Sequence, residues 1–200
     1  MCSIIAFSGE YDKDLIEKIA FNSRVRGLHS FGYSFVLNKK VLVKKFLKYN
    51  EFLKSLNTDK PNKFIAHFRY STSGDYLTEI NNQPLVLNNT SLAFNGVIDM
   101  GTKEELEKKY NCTLNSLNDG EISLIEYLKS DENLIEFIKN KTFAGAFLCQ
   151  DNLKVIRNTL RPCYIGENKE NKVVVSTKDI AIRSGLNNIK ILKKNIFYDI

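Results

Sequence analysis

The sequence predicts an α+β sandwich folded as one domain, and three observations carry that expectation. Short β-rich runs crowd both ends of the chain. Amphipathic helical stretches lie between and beside them. Although 43% of the 200 residues are hydrophobic, no stretch approaches the roughly 20 apolar residues that a membrane span needs. This length suits one unit, residues 1–200, with a sizeable core. Two stacked sheets covered by helices satisfy the pattern, with the layer order left open by the sequence.

Cys2–Ser8 reads as a first strand. It is apolar but lacks a basic flank and runs into Glu10, Asp12 and Lys13, so it is not a signal peptide and a cytoplasmic location is expected. Asp12–Arg24 carries Leu15, Ile16, Ile19 and Ala20 on one stripe and reads as a helix. Phe31–Leu37 and Lys40–Lys48 are strands separated by the turn residues Asn38-Lys39. Lys63–Tyr70 and Ser91–Phe94 are further strands. Thr102–Tyr110 opens on Thr102 with Glu105 three residues on, a capping-box pattern. Asp119–Lys129 and Asp131–Lys139 have acidic starts and basic ends, as helices do. The last quarter returns to strands at Phe143–Cys149, Leu153–Arg157, Val173–Ser176 and Ile189–Ile196, with a short helix at Lys178–Arg183.

Charge and cysteine usage bound the function. The 29 basic and 23 acidic residues give +6 and a pI near 9.0, which invites a nucleic-acid reading. Arginine occurs only at 24, 26, 69, 157, 161 and 183, so nearly all the excess is lysine. Nucleic-acid recognition recruits the bidentate arginine fork, and Lys, Asn, Ile, Tyr and Phe are the residues of AT-rich codons. A coding bias on a solvated surface is the expectation, without a nucleic-acid or membrane partner. Cys2, Cys112, Cys149 and Cys163 show no CxxC spacing, and the histidines are His29 and His67. Neither a disulfide framework nor a metal site is expected, and no cofactor is implied.

Four segments carry chemistry, each with a structural reading beside the functional one. Cys2 follows the initiator Met; if Met1 is trimmed, one residue presents a thiol and a free α-amine. With a reference pKa of about 7.7–8.0 that amine is a base near neutrality, supplying nucleophile and base without histidine. The plain alternative is a buried cysteine. In Ile65-Ala66-His67-Phe68-Arg69-Tyr70-Ser71-Thr72-Ser73-Gly74, Arg69 at a strand end can clamp a carboxylate, or stand as a loop arginine; His67 reads as a satisfied structural histidine. Asn95-Gly96 after a strand reads as a turn, or as a pair of donors to one oxyanion. Asp119 reads as a helix N-cap, or as a carboxylate that receives an ammonium.

The order of these segments is more specific than any one of them. Cys2, Arg26-Gly27-Leu28-His29-Ser30-Phe31-Gly32, His67–Gly74, Asn82-Gln83-Pro84-Leu85, Phe94-Asn95-Gly96 and Asp119-Gly120-Glu121 closely resemble, in sequence order, the class II glutamine amidotransferases. Phe143-Ala144-Gly145-Ala146-Phe147, Arg161-Pro162 and Val174-Val175-Ser176-Thr177 add weaker echoes. The resemblance implies a four-layer αββα sandwich of the N-terminal-nucleophile hydrolase type. It implies that Cys2 attacks the glutamine γ-amide, that Asn95 and the Gly96 N–H hold the oxyanion, and that Arg69 and Asp119 grip the α-carboxylate and α-ammonium. Thr72 would line the substrate pocket and Arg26 a loop near it. Three positions depart from the family pattern: Ser3 replaces a glycine and adds bulk near the thiol, His29 replaces an aspartate, and Gly120 loosens a helix start.

With 200 residues there is no room for an acceptor site, so the resemblance implies glutamine as substrate and a separate ammonia-acceptor synthetase or transferase as partner. A free-standing amidohydrolase for a γ-glutamyl compound is the second reading. A non-catalytic, Lys-rich binding subunit on the same fold is the third.

Overall fold

The computed structural model describes residues 1–71, 74–150, 152–158 and 160–200. In chain order the elements are β1 (Ser3–Ser8), α1 (Lys13–Arg24), β2 (Ser30–Leu37), β3 (Lys40–Phe46), α2 (Tyr49–Asp59), β4 (Lys63–Arg69), β5 (Leu85–Leu87) and β6 (Thr90–Val97). They continue with α3 (Lys103–Tyr110), α4 (Gly120–Lys129), α5 (Asp131–Ile138), β7 (Thr142–Cys149), β8 (Asn152–Arg157), β9 (Tyr164–Asn168), β10 (Asn171–Val175), α6 (Lys178–Arg183), β11 (Asn187–Ile191) and β12 (Tyr198–Asp199). Among the described residues the strands form two antiparallel sheets, ordered β11-β9-β10-β1-β4-β2-β3 and β12-β8-β7-β6-β5.

Side-chain alternation sets the layers. On β1, Ile5 and Phe7 pack with Ile16, Ile19 and Ile180 of the covering helices, whereas Ile4 and Ala6 meet Ala93, Ala144 and Ala146 of the facing sheet. On β6, Ala93 lies in this central layer, while Leu92 and Phe94 join Ile122, Leu124, Leu134 and Ile138 of α4 and α5. Each sheet therefore buries one face against the other sheet and one beneath helices. The result is the αββα sandwich. Small alanines at its centre let the two sheets approach.

Several elements depart from their expected bounds for local reasons. Helix α2 falls where no element is expected: Phe52 and Leu56 are buried on one stripe, with Tyr49 and Leu53 packed beside them. It shortens β3 to Phe46 and ends at Lys60 in the left-handed region, before Pro61. Strands β5, β9 and β12 are also unforeseen; β5 and β12 have three and two residues, too few for a periodic signal. Strand β11 stops at Ile191, short of Ile196. The expected capping box forms: Thr102 Oγ1 accepts from the Glu105 N–H and the Glu105 carboxylate accepts from the Thr102 N–H.

Lysines paired with carboxylates occur at Lys13 in α1, Lys44 in β3, Lys103 and Lys109 in α3, Lys129 in α4 and Lys154 in β8. This spread over both helix layers and both sheets argues against one basic face. Among the described residues no helix is long and apolar enough to cross a membrane.

Candidate active site

Pairing of β1 with β4 sets Ser3 opposite Phe68, so the next residues outward, Cys2 and Arg69, become neighbours at the strand ends. The Tyr70 N–H donates to Cys2 Sγ over 3.4 Å. Burial pushes the Cys2 thiol up; the Tyr70 backbone, the chain's terminal amine, Arg69 and Arg26 pull it down. The thiol therefore needs a base to become a nucleophile. Ser3 points by alternation to the helix-covered face with Ile5, so its bulk is turned away from Cys2, contrary to expectation.

Arg69 is buried. Its Nη1 donates to Asn82 Oδ1 over 2.6 Å and its Nη2 to the Gly74 carbonyl over 3.1 Å. Asn82 Oδ1 also accepts from Ser30 Oγ at 2.9 Å, and its amide donates to the Tyr76 carbonyl at 2.7 Å. These bonds fix the plane of the guanidinium. Beside it, His29 Nδ1 accepts from the Ser71 N–H at 2.9 Å, with the imidazole stacked 4.8 Å from both Tyr70 and Tyr76. His29 thus supplies an acceptor where a carboxylate would, and the loop is held. Thr72 lies outside the described residues.

Asn95-Gly96 is not a turn. Both residues continue β6, opposite Ala144 and Phe143 of β7. Among the described residues β6 has no strand on its outer edge past Leu85, and the outward groups find side chains instead. The Phe94 N–H donates to Gln83 Oε1 at 2.6 Å, and His67 Nε2 donates to the Phe94 carbonyl at 3.1 Å. Burial and Arg69 hold the His67 pKa down to about 3, so its ring stays neutral. The Ile98 N–H, two positions beyond Gly96, donates to Asp119 Oδ2 at 2.6 Å. In an antiparallel strand alternate N–H groups share a side, so the Gly96 N–H points to this same edge. A Cβ on Gly96 would lie 1.8 Å from the Thr142 carbonyl oxygen, which is why glycine stands there. Asn95 is buried beside it, its Oδ1 without a partner among the described residues.

Asp119 does not cap α4. Its backbone is already helical and its side chain makes no capping bond; Asn118 Oδ1 accepts from the Gly120 N–H instead, at 3.1 Å. Asp119 Oδ2 accepts from the Ile98 and Asp99 N–H groups. Burial pushes its carboxyl up, and these backbone donors oppose the rise. Gly120 has a packing reason: a Cβ would fall 1.9 Å from the Phe94 ring. It seats the helix on β6 closely, contrary to the expected loosening.

Cys2, Arg69, Gln83, Gly96 and Asp119 line one cavity of about 280 Å³. Asn95 backs this wall and is not among the lining residues. Arg26 lies outside the lining as well, its Nε donating to the Cys2 carbonyl at 3.1 Å. A thiol, an outward-facing backbone N–H, a guanidinium and a carboxylate facing one cavity can bind a zwitterionic amino acid and attack its side chain. Asn82 and Gln83 act through their bonds to Arg69 and to the Phe94 N–H, and the sequence marks them only through the Asn82-Gln83-Pro84-Leu85 segment. Among the described residues no group of three or more His, Cys, Asp or Glu side chains is placed to hold a metal ion.

No family model matches the chain, and no curated protein sequence does. Solved structures do match. The glutamine phosphoribosylpyrophosphate amidotransferase from B. subtilis, complexed with ADP and GMP, superposes with a TM-score of 0.75 at 18% identity, over 99% of this chain and 48% of that one. A structure described as the allosteric regulatory enzyme of purine biosynthesis gives 0.76 at 20% identity, over 96% and 45%. The chain thus spans about half the length of these two proteins. A glutamine aminotransferase class-II domain protein from Silicibacter pomeroyi gives 0.61 at 13% identity, over 96% of this chain and 92% of that one. What these likenesses show is the fold: a four-layer αββα sandwich that the chain shares with these amidotransferase structures.

Proposed function

We propose that residues 1–200 form a glutaminase domain that cleaves the side-chain amide of glutamine through a γ-glutamyl thioester on Cys2, the ammonia passing to a separate acceptor enzyme. The observation that carries the reading is the convergence of Cys2, Arg69, Gly96 and Asp119 on one cavity. Arg69 takes the substrate α-carboxylate and Asp119 the α-ammonium. The Gly96 N–H, with the Asn95 amide behind it, receives the charge that develops on the γ-carbonyl oxygen. The sulfur–carbon bond forms, the carbon–nitrogen bond breaks, and the thiol proton reaches the departing nitrogen through the Cys2 α-amine. Water then hydrolyses the thioester to glutamate. With Met1 attached, that nitrogen is an amide whose lone pair is delocalised, so the mechanism requires its removal.

Intact mass and glutamate release test this together: the expected protein lacks Met1 and releases glutamate from glutamine. Retention of Met1 in active protein would exclude the α-amine as base. A glutamine-analogue diazoketone is expected to label Cys2 and spare Cys112, Cys149 and Cys163.

Asn82→Ala removes the acceptor that orients Arg69. The expected result is a rise in KM of about tenfold or more, the scale of one hydrogen bond to a charged group, with a smaller change in kcat. Steady-state kinetics on glutamine read the split, and an unchanged KM would remove Arg69 from substrate binding.

The second reading, an amidohydrolase for γ-glutamyl compounds, uses the same Cys2 chemistry. It is favoured by the openness of the N-terminal side of Cys2, where Met1 is 63% exposed.

A further inference from the structure

The loop between α1 and β2 lays His29 against the segment that follows β4, and the two meet through backbone and side chain. The His29 N–H donates to the Arg69 carbonyl at 3.0 Å, and His29 Nδ1 accepts from the Ser71 N–H at 2.9 Å. A backbone N–H can only donate. This Nδ1 therefore carries a lone pair, and the ring proton sits on Nε2.

From Ser71 the bonds lead to the guanidinium. Ser71 Oγ donates to the Gly74 carbonyl at 2.9 Å, the same carbonyl that takes Arg69 Nη2. Tyr76, stacked on the imidazole, offers its carbonyl to the Asn82 amide, and the Asn82 oxygen takes Arg69 Nη1. Gly74 and Asn82, which fix the guanidinium plane, are thus each one residue removed from a group that touches His29. Tyr70, also stacked on the ring, lines the cavity and donates its N–H to Cys2 Sγ.

The titratable or charged groups on the segments that meet the ring are Tyr70, Tyr76 and Asp75 after β4, Arg69 at its end, and Arg26 in the ring's own loop. The Asp75 carboxylate accepts from the Leu77 N–H, and among the described residues no carboxylate pairs with His29. A proton on Nδ1 would set two donors face to face and add a third cation to the stretch that holds Arg26 and Arg69. Imidazole is the side chain whose charge ordinarily changes between about pH 5 and 8.

We propose that His29 is a positioning residue for the amino-acid clamp, holding the Arg69 loop in its binding geometry only while the ring is neutral, so that substrate affinity is lost in acid. The inference rests on the reading of the cavity as a glutamine site and adds a regulation of that site. Glutamine binding then favours the neutral ring, so affinity is full at higher pH and declines as the ring takes up a proton.

The test is calorimetric titration of glutamine into Met1-free Cys2→Ala protein, which binds without turnover, at about pH 8 and about pH 5. The Kd is expected to rise at least about fivefold in acid, the scale of one backbone donor left without its acceptor. Asp119, whose carboxyl burial pushes up, adds an acid weakening of its own. Cys2→Ala/His29→Asn separates the two, because the asparagine oxygen accepts from the Ser71 N–H and does not titrate. There the rise is expected to shrink to the Asp119 share. NMR of the His29 ring in the Cys2→Ala protein gives a check that needs no His29 variant: the rise in Kd is expected to track protonation of the ring. Equal Kd at both pH values, an equal rise in both proteins, or a ring still neutral at about pH 5 overturns the proposal and leaves the glutamine site standing. Failure of glutamine to bind at either pH removes the site and the proposal together.

Discussion

Cys2→Ala is expected to reduce glutamate release on the order of 10³-fold or more, towards the uncatalysed background, while leaving the fold intact. The magnitude follows from losing the nucleophile and not a supporting group. No other cysteine can stand in: Cys163 is fully buried, with its thiol pushed up to about 12 by that burial, and Cys112 and Cys149 do not line the cavity. Stability should barely change, since Cys2 precedes β1, lies outside the buried hydrophobic clusters, and its thiol bonds to the Tyr70 backbone. Equal activity in the variant would remove the thioester from the mechanism. The wild-type pH profile carries a linked expectation. Burial raises the thiol, so thiolate is scarce near neutrality, and the rate should follow deprotonation of the α-amine, rising through about pH 7–8. Below that range the amine is protonated, cannot accept the thiol proton, and the rate is lost.

Gly96→Ala is expected to damage both stability and catalysis. Its added Cβ would sit 1.8 Å from the Thr142 carbonyl oxygen and 2.8 Å from the carbonyl carbon. Both atoms are main chain, so the strain is relieved only by parting β6 from β7. Overpacking of this kind costs about 1–3 kcal/mol or more, which thermal melting would register as a lowered Tm. The same movement carries the Gly96 N–H away from its edge, and losing one oxyanion donor typically lowers kcat by about 10²–10³. Kinetics on the folded fraction separate the two effects. Near-wild-type kcat in that fraction would mean that the Gly96 N–H does not contact the reacting oxygen.

What the sequence made legible was governed by length and by order. Longer amphipathic stretches such as α1 and α4 stand close to where periodicity places them, because 3.6-residue and two-residue patterns need several repeats to show. Strands β5 and β12 are shorter than that, and α2 was hidden by the lysine-rich approach from β3. At the site, Cys2, Arg69 and Asp119 were readable as chemical groups. The role of Asn95-Gly96 was not readable locally, since a turn and an open strand edge use the same dipeptide; only the missing neighbour beyond Leu85 distinguishes them. His29 looked like a loss and is a substitute acceptor. Asn82 and Gln83 were visible only as part of the Asn82-Gln83-Pro84-Leu85 segment, because their bonds to Arg69 and to the Phe94 N–H join residues 13 and 11 positions apart.

That last pair has a consequence for redesign. Asn82 orients the guanidinium that would grip the substrate, and Gln83 holds the Phe94 N–H within β6, one residue before Asn95-Gly96. One peptide bond joins the two duties. Retargeting the pocket to a different amino-acid head group by altering Asn82 would therefore shift Gln83 as well, so affinity and turnover should trade against each other. Changes at the two positions should combine non-additively.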